Sequence, residues 1–273
     1  MNSIALVSDP YERKPFPPVN AVGGSVDPRA HIEQGTGTAV FLAWAGIVVG
    51  LLLLTILTSG IVLVAVVVGL IVDFFSRKKA MALLKGSAVQ LGTKQFPEIH
   101  RCAEEIARRL GMTTAPGIFL LEGNAINAAA SRVAGKEVII LQDDLVDACL
   151  RSGDNRTLTF ILAHEMAHHA LGHTGIIRLN LARAFKKLAR LDEFTCDAIA
   201  NEVVGSLNVS VKSIALLATG PQLFPYLNLN ALLEQSREVA VDKYSKKAER
   251  RLTHPLLLRR LSRFSNQHTD GLS

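Results

Sequence analysis

The longest apolar stretch of the chain runs from Ala39 to Val72, a span of 34 residues without a charged side chain. As one continuous helix it would measure about 51 Å, whereas the hydrocarbon core of a bilayer is roughly 30 Å thick. The stretch therefore predicts a transmembrane segment over residues 39–76, either as one long tilted helix or as a hairpin broken at residues 58–60. It begins too late and is too long for the apolar region of a cleaved signal peptide.

Basic residues flank this stretch on its C-terminal side. Arg77, Lys78 and Lys79 follow it directly, whereas Arg29 on the N-terminal side is offset by neighbouring acidic residues. By the positive-inside rule, residue 77 onward is expected in the cytoplasm. The sequence thus predicts an integral membrane protein, of the inner or cell membrane in a bacterium, whose main domain over residues 77–273 faces the cytoplasm.

Outside the apolar stretch, the pattern separates a tail from a mixed domain. Residues 1–38 lack an apolar period and are rich in proline and glycine, so we predict a disordered tail. From residue 80 onward, β-branched runs alternate with segments of helical period, which indicates an α+β domain, mostly helical, with a small β-sheet. Strands are predicted at 117–122 and 137–141, and helices at 80–111 with a break near Pro97, 142–151, 155–172, 176–205, 208–218, 229–248 and 255–264.

The net charge of +6 comes from 30 basic and 24 acidic residues, and aromatic residues make up 5% of the chain. Nucleic-acid binding is not expected, because few aromatics and no recognition motif accompany the charge. Between Ile176 and Leu191, basic and apolar residues alternate, as in a helix on an anionic membrane or a helix with one packed face. We favour the packed helix because its continuation carries Glu193, a candidate metal ligand.

Three cysteines are present, Cys102, Cys149 and Cys196. They cannot all pair within one chain, and their spacing is not that of a zinc site. We therefore predict free thiols in a reducing compartment.

The segment His164-Glu165-Met166-Ala167-His168 is an HExxH motif within a stretch of helical period. Residues four apart lie on one face of a helix, so the two imidazoles can bind one metal ion. Glu165 is then placed to act as general base on a water bound to that ion. A motif this short also arises by chance, in which case the residues would be a buried polar pair on a structural helix.

A catalytic zinc site needs a third ligand from elsewhere in the chain. The metzincin pattern is excluded, because its third histidine would fall at Thr174, and His173, five residues past His168, would point away on a continuous helix. Glu193, 25 residues after His168, is the preferred ligand, and Asp192 is its rival. Two histidines and one glutamate leave the fourth tetrahedral position for water, which is typical of a catalytic site.

Asp197 lies four residues after Glu193, on the same helical face. Metal-bound histidines usually donate their second ring nitrogen to a carboxylate or carbonyl. Asp197 is therefore predicted to orient one of the histidines, and its pairing with Glu193 is the reason for preferring Glu193 over Asp192.

These motifs and several others resemble the membrane zinc metallopeptidases that include the HtpX-type proteases and the CAAX prenyl endopeptidases. The resemblance spans about residues 80–265, and its order and spacing are far more specific than HExxH alone. Its pieces are Gln95-Phe96-Pro97-Glu98, Arg108-Arg109-Leu110-Gly111, Asn127-Ala128-Ala129-Ala130 with Ala129 where the family has phenylalanine, HExxH with Gly172-His173, Glu193 with Asp197, and Thr253-His254-Pro255 with Arg260.

The resemblance implies a zincin-like fold with one Zn²⁺ per chain, held by His164, His168 and Glu193, with Glu165 as general base. It also implies an N-terminal membrane hairpin. Zinc peptidases commonly bind substrate as an added strand along a sheet edge.

By the same resemblance, Asn127 and Ala128 would lie beside such a substrate. His254 and Arg260 are the candidates for stabilising the oxyanion of the transition state. For His254, a structural role in a helix-capping turn is the more ordinary alternative.

The segment between HExxH and Glu193 is short and basic, so it holds none of the further membrane helices of the HtpX pattern. We predict a compact, membrane-anchored zinc endopeptidase that contacts the lipid bilayer and a protein or peptide substrate, with no nucleic-acid partner. The alternative is a catalytically silent, membrane-anchored interaction scaffold that keeps the fold. The complete ligand set beside Glu165 argues against that alternative, and the sequence does not fix the oligomeric state.

Overall fold

The computed structural model describes residues 24–123, 127–152 and 154–269. Residues 1–23 of the predicted tail lie outside this range. The rest of the tail packs on the domain, where the buried Val26 donates its backbone N–H to the Arg109 carbonyl over 2.8 Å. The Arg109 side chain in turn donates to the Gly24 carbonyl over 2.9 Å, so the folded part of the chain begins before the predicted boundary at residue 38.

The described residues are mostly helical, with a small mixed β-sheet, as predicted. The helices are α1 (Thr36–Leu57), α2 (Ile61–Ser87), α3 (Pro97–Arg109), α4 (Asp143–Arg151), α5 (Arg156–Ala170), α6 (Ile176–Ala184), α7 (Lys186–Val204), α8 (Leu207–Thr219), α9 (Leu229–Val241), α10 (Lys243–Glu249) and α11 (Leu257–Thr269). The strands are β1 (Val89–Gln90), β2 (Gly117–Leu121), β3 (Ala128–Val133) and β4 (Lys136–Gln142). Short 3₁₀ turns lie at Pro28–His31 and Phe224–Tyr226.

The sheet has the order β1-β2-β4-β3, with β2 and β4 parallel and the other two pairs antiparallel. The strand β3 therefore lies at an edge. It is alanine-rich and has little intrinsic β propensity, but a tight turn with positive φ at Ala134 and Gly135 pairs it with β4. One face of the sheet packs in the main core and the other packs against the C-terminal end of α2, through Phe119 and Val138.

Helix α5 forms the centre of the domain. Its residues Leu158, Leu162 and Met166 are fully buried, and the helix packs against α3, α7, α8 and the sheet. The C-terminal helix α11 packs across α8 and α9. Helix α7 packs along the helix that carries HExxH, and α11 reaches that helix through the edge-on contact of Phe264 with Phe160.

The apolar stretch forms two helices, as in the predicted hairpin, with the break at Ser59 and Gly60, which both have positive φ. The N-terminal end of α1 packs on α6 and α7, and the C-terminal end of α2 packs on the sheet, so both ends of the pair rest on the same domain. Among the described residues, α1 is the one helix long and apolar enough to cross a membrane.

The predicted helix at 176–205 is broken at Phe185, which separates α6 from α7. The Phe185 ring packs against α1 at Gly46, where an added Cβ would lie 2.8 Å from the ring. Phe185 leaves helical geometry, with φ of −115° and ψ of 83°, where it makes this contact. The predicted helix at 229–248 is likewise divided, because the Asp242 side chain caps α10 by accepting from the Ser245 N–H over 2.6 Å.

All three cysteines are free and buried, as predicted. Burial raises the pKa of both Cys102 and Cys149 to about 12, and raises that of Cys196 as well. A thiol with a pKa near 12 is almost entirely protonated at pH 8.5, and the thiolate is the reactive form.

We expect no alkylation of the native protein by iodoacetamide at pH 8.5, and three alkylated cysteines after unfolding, as counted by mass spectrometry. A native cysteine that reacts rapidly would contradict this burial.

Candidate metal centre

The histidines of HExxH lie on one face of α5, opposite Glu193 of α7. The Nε2 atom of His164 is 3.5 Å from one carboxylate oxygen of Glu193, and the Nε2 atom of His168 is 3.5 Å from the other. One ligand atom from each of the three residues lies within 4.8 Å of the other two. The close packing of α5 on α7 thus brings together the three residues that the sequence nominated as ligands.

This arrangement fits a tetrahedral zinc site. Zinc binds nitrogen and oxygen at about 2.0–2.2 Å, so two ligand atoms of a tetrahedral site are separated by roughly 3.4 Å. The two nitrogen–oxygen distances are 3.5 Å each, close to that value, and they end on different oxygens of the Glu193 carboxylate. With three protein ligands, the fourth position would open into the cleft.

Asp197, one turn beyond Glu193 on α7, contacts His164 directly. Its carboxylate lies 3.0 Å from the Nδ1 atom of His164, the ring nitrogen that faces away from Glu193. Arg260 of α11 donates two hydrogen bonds to the same carboxylate, over 2.6 and 2.8 Å. The Nδ1 side of the His164 ring is therefore contacted by a buried aspartate, which in turn accepts hydrogen bonds from a buried arginine.

The electrostatics of this group follow from burial and pairing. Burial alone would lower the pKa of His164, but its contacts with Asp197 and Glu193 outweigh that effect and raise the pKa to about 10. Burial alone would raise the pKa values of Glu193 and Asp197. The histidines His164 and His168 nevertheless hold the pKa of Glu193 well below its usual range, and Arg260 with His164 lowers that of Asp197. The two carboxylates and the charged form of His164 thus stabilise one another.

Asp192, the rival candidate ligand, is not one of the three residues that come together. It contacts His173 and Arg178 instead. Its carboxylate accepts a hydrogen bond from Arg178 over 2.5 Å and lies 3.4 Å from the Nε2 atom of His173. Burial raises the pKa of Asp192 to about 6, against the lowering effect of Arg178. Burial lowers the pKa of His173 to about 2, and the neighbouring His168 and Arg178 act in the same direction.

Glu165 extends from α5 towards the sheet edge. One of its carboxylate oxygens accepts a hydrogen bond from the backbone N–H of Ala130 over 2.6 Å. The Gln142 N–H donates to the Asn127 carbonyl, and hydrogen-bonded positions alternate along an antiparallel pair. The main-chain groups of Ala128 and Ala130 therefore face the free edge of β3, on the side of the cleft.

A cleft of about 350 Å³ lies over the three ligands. Asn127 and Ala128 line one side, and Leu179 and Ala182 of α6 line another. His254 also lines it and is 69% exposed, with its Nε2 atom 3.4 Å from a carboxylate oxygen of Glu193. The residues nominated for substrate or oxyanion contact thus all border one cleft, but Arg260 is buried with two of its nitrogens on Asp197.

The basic residues at the start of α7 hold the loop that carries His254. Arg190 donates to the carbonyls of Glu249 and Leu252 over 3.1 and 2.9 Å, and Lys186 donates to the Arg251 carbonyl over 2.6 Å. This use of the charges agrees with the packed helix favoured from the sequence. The acceptors could not be predicted, because they are backbone groups some 60 positions away.

Residues 93–186 match the model of Peptidase family M48. This segment of the chain is similar to the M48 family. The resemblance to the HtpX-type and CAAX zinc metallopeptidases is thereby confirmed. The M48 match covers HExxH and the strands β2, β3 and β4, and it ends before Glu193, Asp197, His254 and Arg260. No curated protein and no solved structure matches the chain.

The contact between Asp197 and His164 predicts a defect in metal binding. Asp197→Asn keeps the shape of the side chain but removes the charge that orients His164, so zinc affinity should fall by about 10–100-fold. Competition with a chromophoric chelator measures this. Glu202→Gln, at an exposed carboxylate of the same helix, is the matched control and should leave the affinity unchanged. Equal zinc affinity in wild type and Asp197→Asn would contradict the assigned contact.

Proposed function

We propose that the protein is a membrane-anchored zinc endopeptidase with a zincin-like catalytic domain over residues 77–273. The main observation behind this proposal is that His164, His168 and Glu193 lie close enough together to bind one metal ion. Glu165 lies beside them. The match of residues 93–186 to a zinc metallopeptidase family supports the same conclusion. One Zn²⁺ per chain would be held by the two histidines and Glu193.

Zinc, when bound, would polarise the scissile carbonyl and acidify an attacking water. Glu165 takes the proton of that water and later delivers it to the leaving amine. The Ala130 N–H holds one oxygen of the Glu165 carboxylate and leaves the other free for proton transfer. Asp197, fixed by Arg260, keeps His164 in the orientation that directs its Nε2 atom at the metal.

His254 is the stronger of the two candidates for stabilising the oxyanion. It stands exposed at the cleft, close to Glu193, on a loop fixed by Arg190. Arg260 is buried, and its hydrogen bonds to Asp197 make it a positioning residue in this proposal.

The substrate is proposed to be a protein segment in extended conformation, bound along the free edge of β3. The outward main-chain groups of Ala128 supply sequence-independent hydrogen bonds. The small side chains of the alanine run leave space for a peptide next to Glu165. Asn127 borders the same edge and is placed to contact the substrate backbone.

Membrane attachment is proposed through α1 and α2. Helix α1 has 22 residues, or about 33 Å. Its part from Ala39 to Ile47 packs on the domain, and the exposed part beyond it would enter the hydrocarbon core together with α2. Most large apolar side chains of α1 and of the first half of α2 are exposed, including Leu53, Leu57 and Val64. A continuous apolar surface of this kind marks a membrane or protein interface. Arg77, Lys78 and Lys79 support a cytoplasmic location for the domain.

The proposed base gives the central test. Purified, detergent-solubilised protein with one bound zinc should cleave unfolded casein, and chelation should abolish the cleavage. Glu165→Gln should keep its zinc and lose roughly 10²–10⁴-fold in kcat, because general base catalysis contributes about that much. Full zinc-dependent cleavage by Glu165→Gln would sink the assigned base, and zinc binding without any cleavage in wild type would favour the scaffold alternative.

The proposed anchor predicts resistance to alkaline carbonate extraction from membranes. Two lysines in α1, Val49→Lys with Leu53→Lys, should release much of the protein, because each costs about 2.5–3.5 kcal/mol at the centre of a membrane helix. A matched pair on the domain surface, Leu223→Lys with Tyr226→Lys, replaces side chains that are at least as exposed and should release none. Equal extraction of wild type and both variants would argue against insertion of α1.

A further inference from the structure

The two histidines that face Glu193 are supported in different ways. His164 has the Asp197 carboxylate behind its Nδ1 atom. The corresponding Nδ1 atom of His168 has the ring of another histidine behind it, with its Nδ1 atom 3.1 Å from the Nδ1 atom of His173. The remaining nitrogen of His173 lies 3.4 Å from Asp192, which accepts from Arg178.

The end of α5 explains why His173 is in this place. Gly172 has a φ of 71°, and the backbone leaves the helix there. The Gly172 N–H donates to the His169 carbonyl over 2.9 Å, and the His173 N–H donates to the His168 carbonyl over 2.8 Å. This pair of bonds is the Schellman ending of a helix, in which the chain turns back over the last turn. His173 is thereby returned to the side of His168, which it would not reach on a continuous helix.

The proton positions in this chain of contacts follow from the groups at its two ends. His168 directs its Nε2 atom towards Glu193, so the free pair on that nitrogen is the one available to a metal. Its Nδ1 atom must then carry the proton and donate it. The Nδ1 atom of His173 accepts that hydrogen bond, which leaves the proton of His173 on Nε2, facing the Asp192 carboxylate.

We propose that His173 is a positioning residue for the metal ligand His168, acting as a neutral relay between His168 and the Asp192–Arg178 pair. The inference rests on the proposed zinc site and extends it. His173 fixes the ring orientation and the tautomer of His168, as Asp197 does for His164. The two ligands are thereby oriented by separate acid–arginine pairs, one in direct contact and one through a histidine.

Cys196 makes a different arrangement conceivable. Its Sγ atom lies 3.8 Å from the Nδ1 atom of His173, and one ligand atom each from Cys196, His173 and His168 lies within 4.8 Å of the others. A tetrahedral zinc bound to both Nδ1 atoms would separate them by roughly 3.4 Å. The observed 3.1 Å is within hydrogen-bonding range and favours the relay.

Three substitutions in the full-length, detergent-solubilised protein test the relay. His173→Leu removes the acceptor and should weaken zinc binding by about 10–100-fold, measured by chelator competition. His173→Gln can accept from His168 and donate to Asp192 through its amide, and should recover most of the lost affinity. Cys196→Ala is the matched control at the same buried cluster and should leave the affinity unchanged. Thermal unfolding of each metal-free variant shows whether a change in affinity reflects loss of the fold.

A spectroscopic readout tests the tautomers directly. Long-range ¹H–¹⁵N correlation spectra of the zinc-loaded protein should show His168 protonated on Nδ1 and His173 protonated on Nε2. His173 protonated on Nδ1, or a folded His173→Leu protein with wild-type zinc affinity, would overturn the proposal. Two zinc ions per chain, with one lost in Cys196→Ala, would replace the relay by a second metal site.

Neither readout depends on peptide cleavage. Zinc binding that weakens in His173→Leu and recovers in His173→Gln would support the relay even if the wild-type protein cleaved no substrate. In that outcome the proposed peptidase activity would fail and the positioning role would stand.

Discussion

The burial of two carboxylates on one helix is the constraint on which the rest of the site depends. Glu193 and Asp197 are four residues apart on α7 and are almost fully buried. Ionised carboxylates at such depth require partners of opposite charge, since desolvation otherwise costs several kcal/mol for each ion. Arg260 is the partner of Asp197. It reaches Asp197 because its helix, α11, packs over α8 and α9.

This dependence explains how a site on a central helix draws on distant segments. HExxH fixes the position of two histidines, but Glu193, Asp197, Arg260 and the loop of His254 each come from later elements. Arg190 links two of these elements, because it lies on α7 and binds the carbonyls of the His254 loop. The geometry of the cleft is therefore a property of the whole helical domain.

Helical periodicity predicted which candidate ligands come together because the relevant spacings lie within regular helices. His164 with His168, and Glu193 with Asp197, are each four residues apart, and both segments are helical in the structure. The same reasoning did not predict the contact of His173 with His168, because it assumed that α5 continues past Gly172. The hydrogen bonds of Arg190 and of the Ala130 N–H were not predicted either. Each involves a backbone group, and backbone groups leave no pattern in the sequence. The helix break at Phe185 depends on a tertiary contact, and the helix break at Asp242 depends on a helix cap. Hydrophobic periodicity predicts neither.

The contact of Phe185 with Gly46 has a consequence for how the chain divides. Ala39 and Ala43 of α1 share a small apolar cluster with Leu181 of α6 and Leu188 of α7. A fragment beginning at residue 77 would uncover Leu181 and Leu188 and leave the Phe185 ring without its partner. The helix proposed to attach the protein to a membrane is thus also part of the domain's interior, and a version without it would need polar replacements on α6 and α7 as well as a new starting residue.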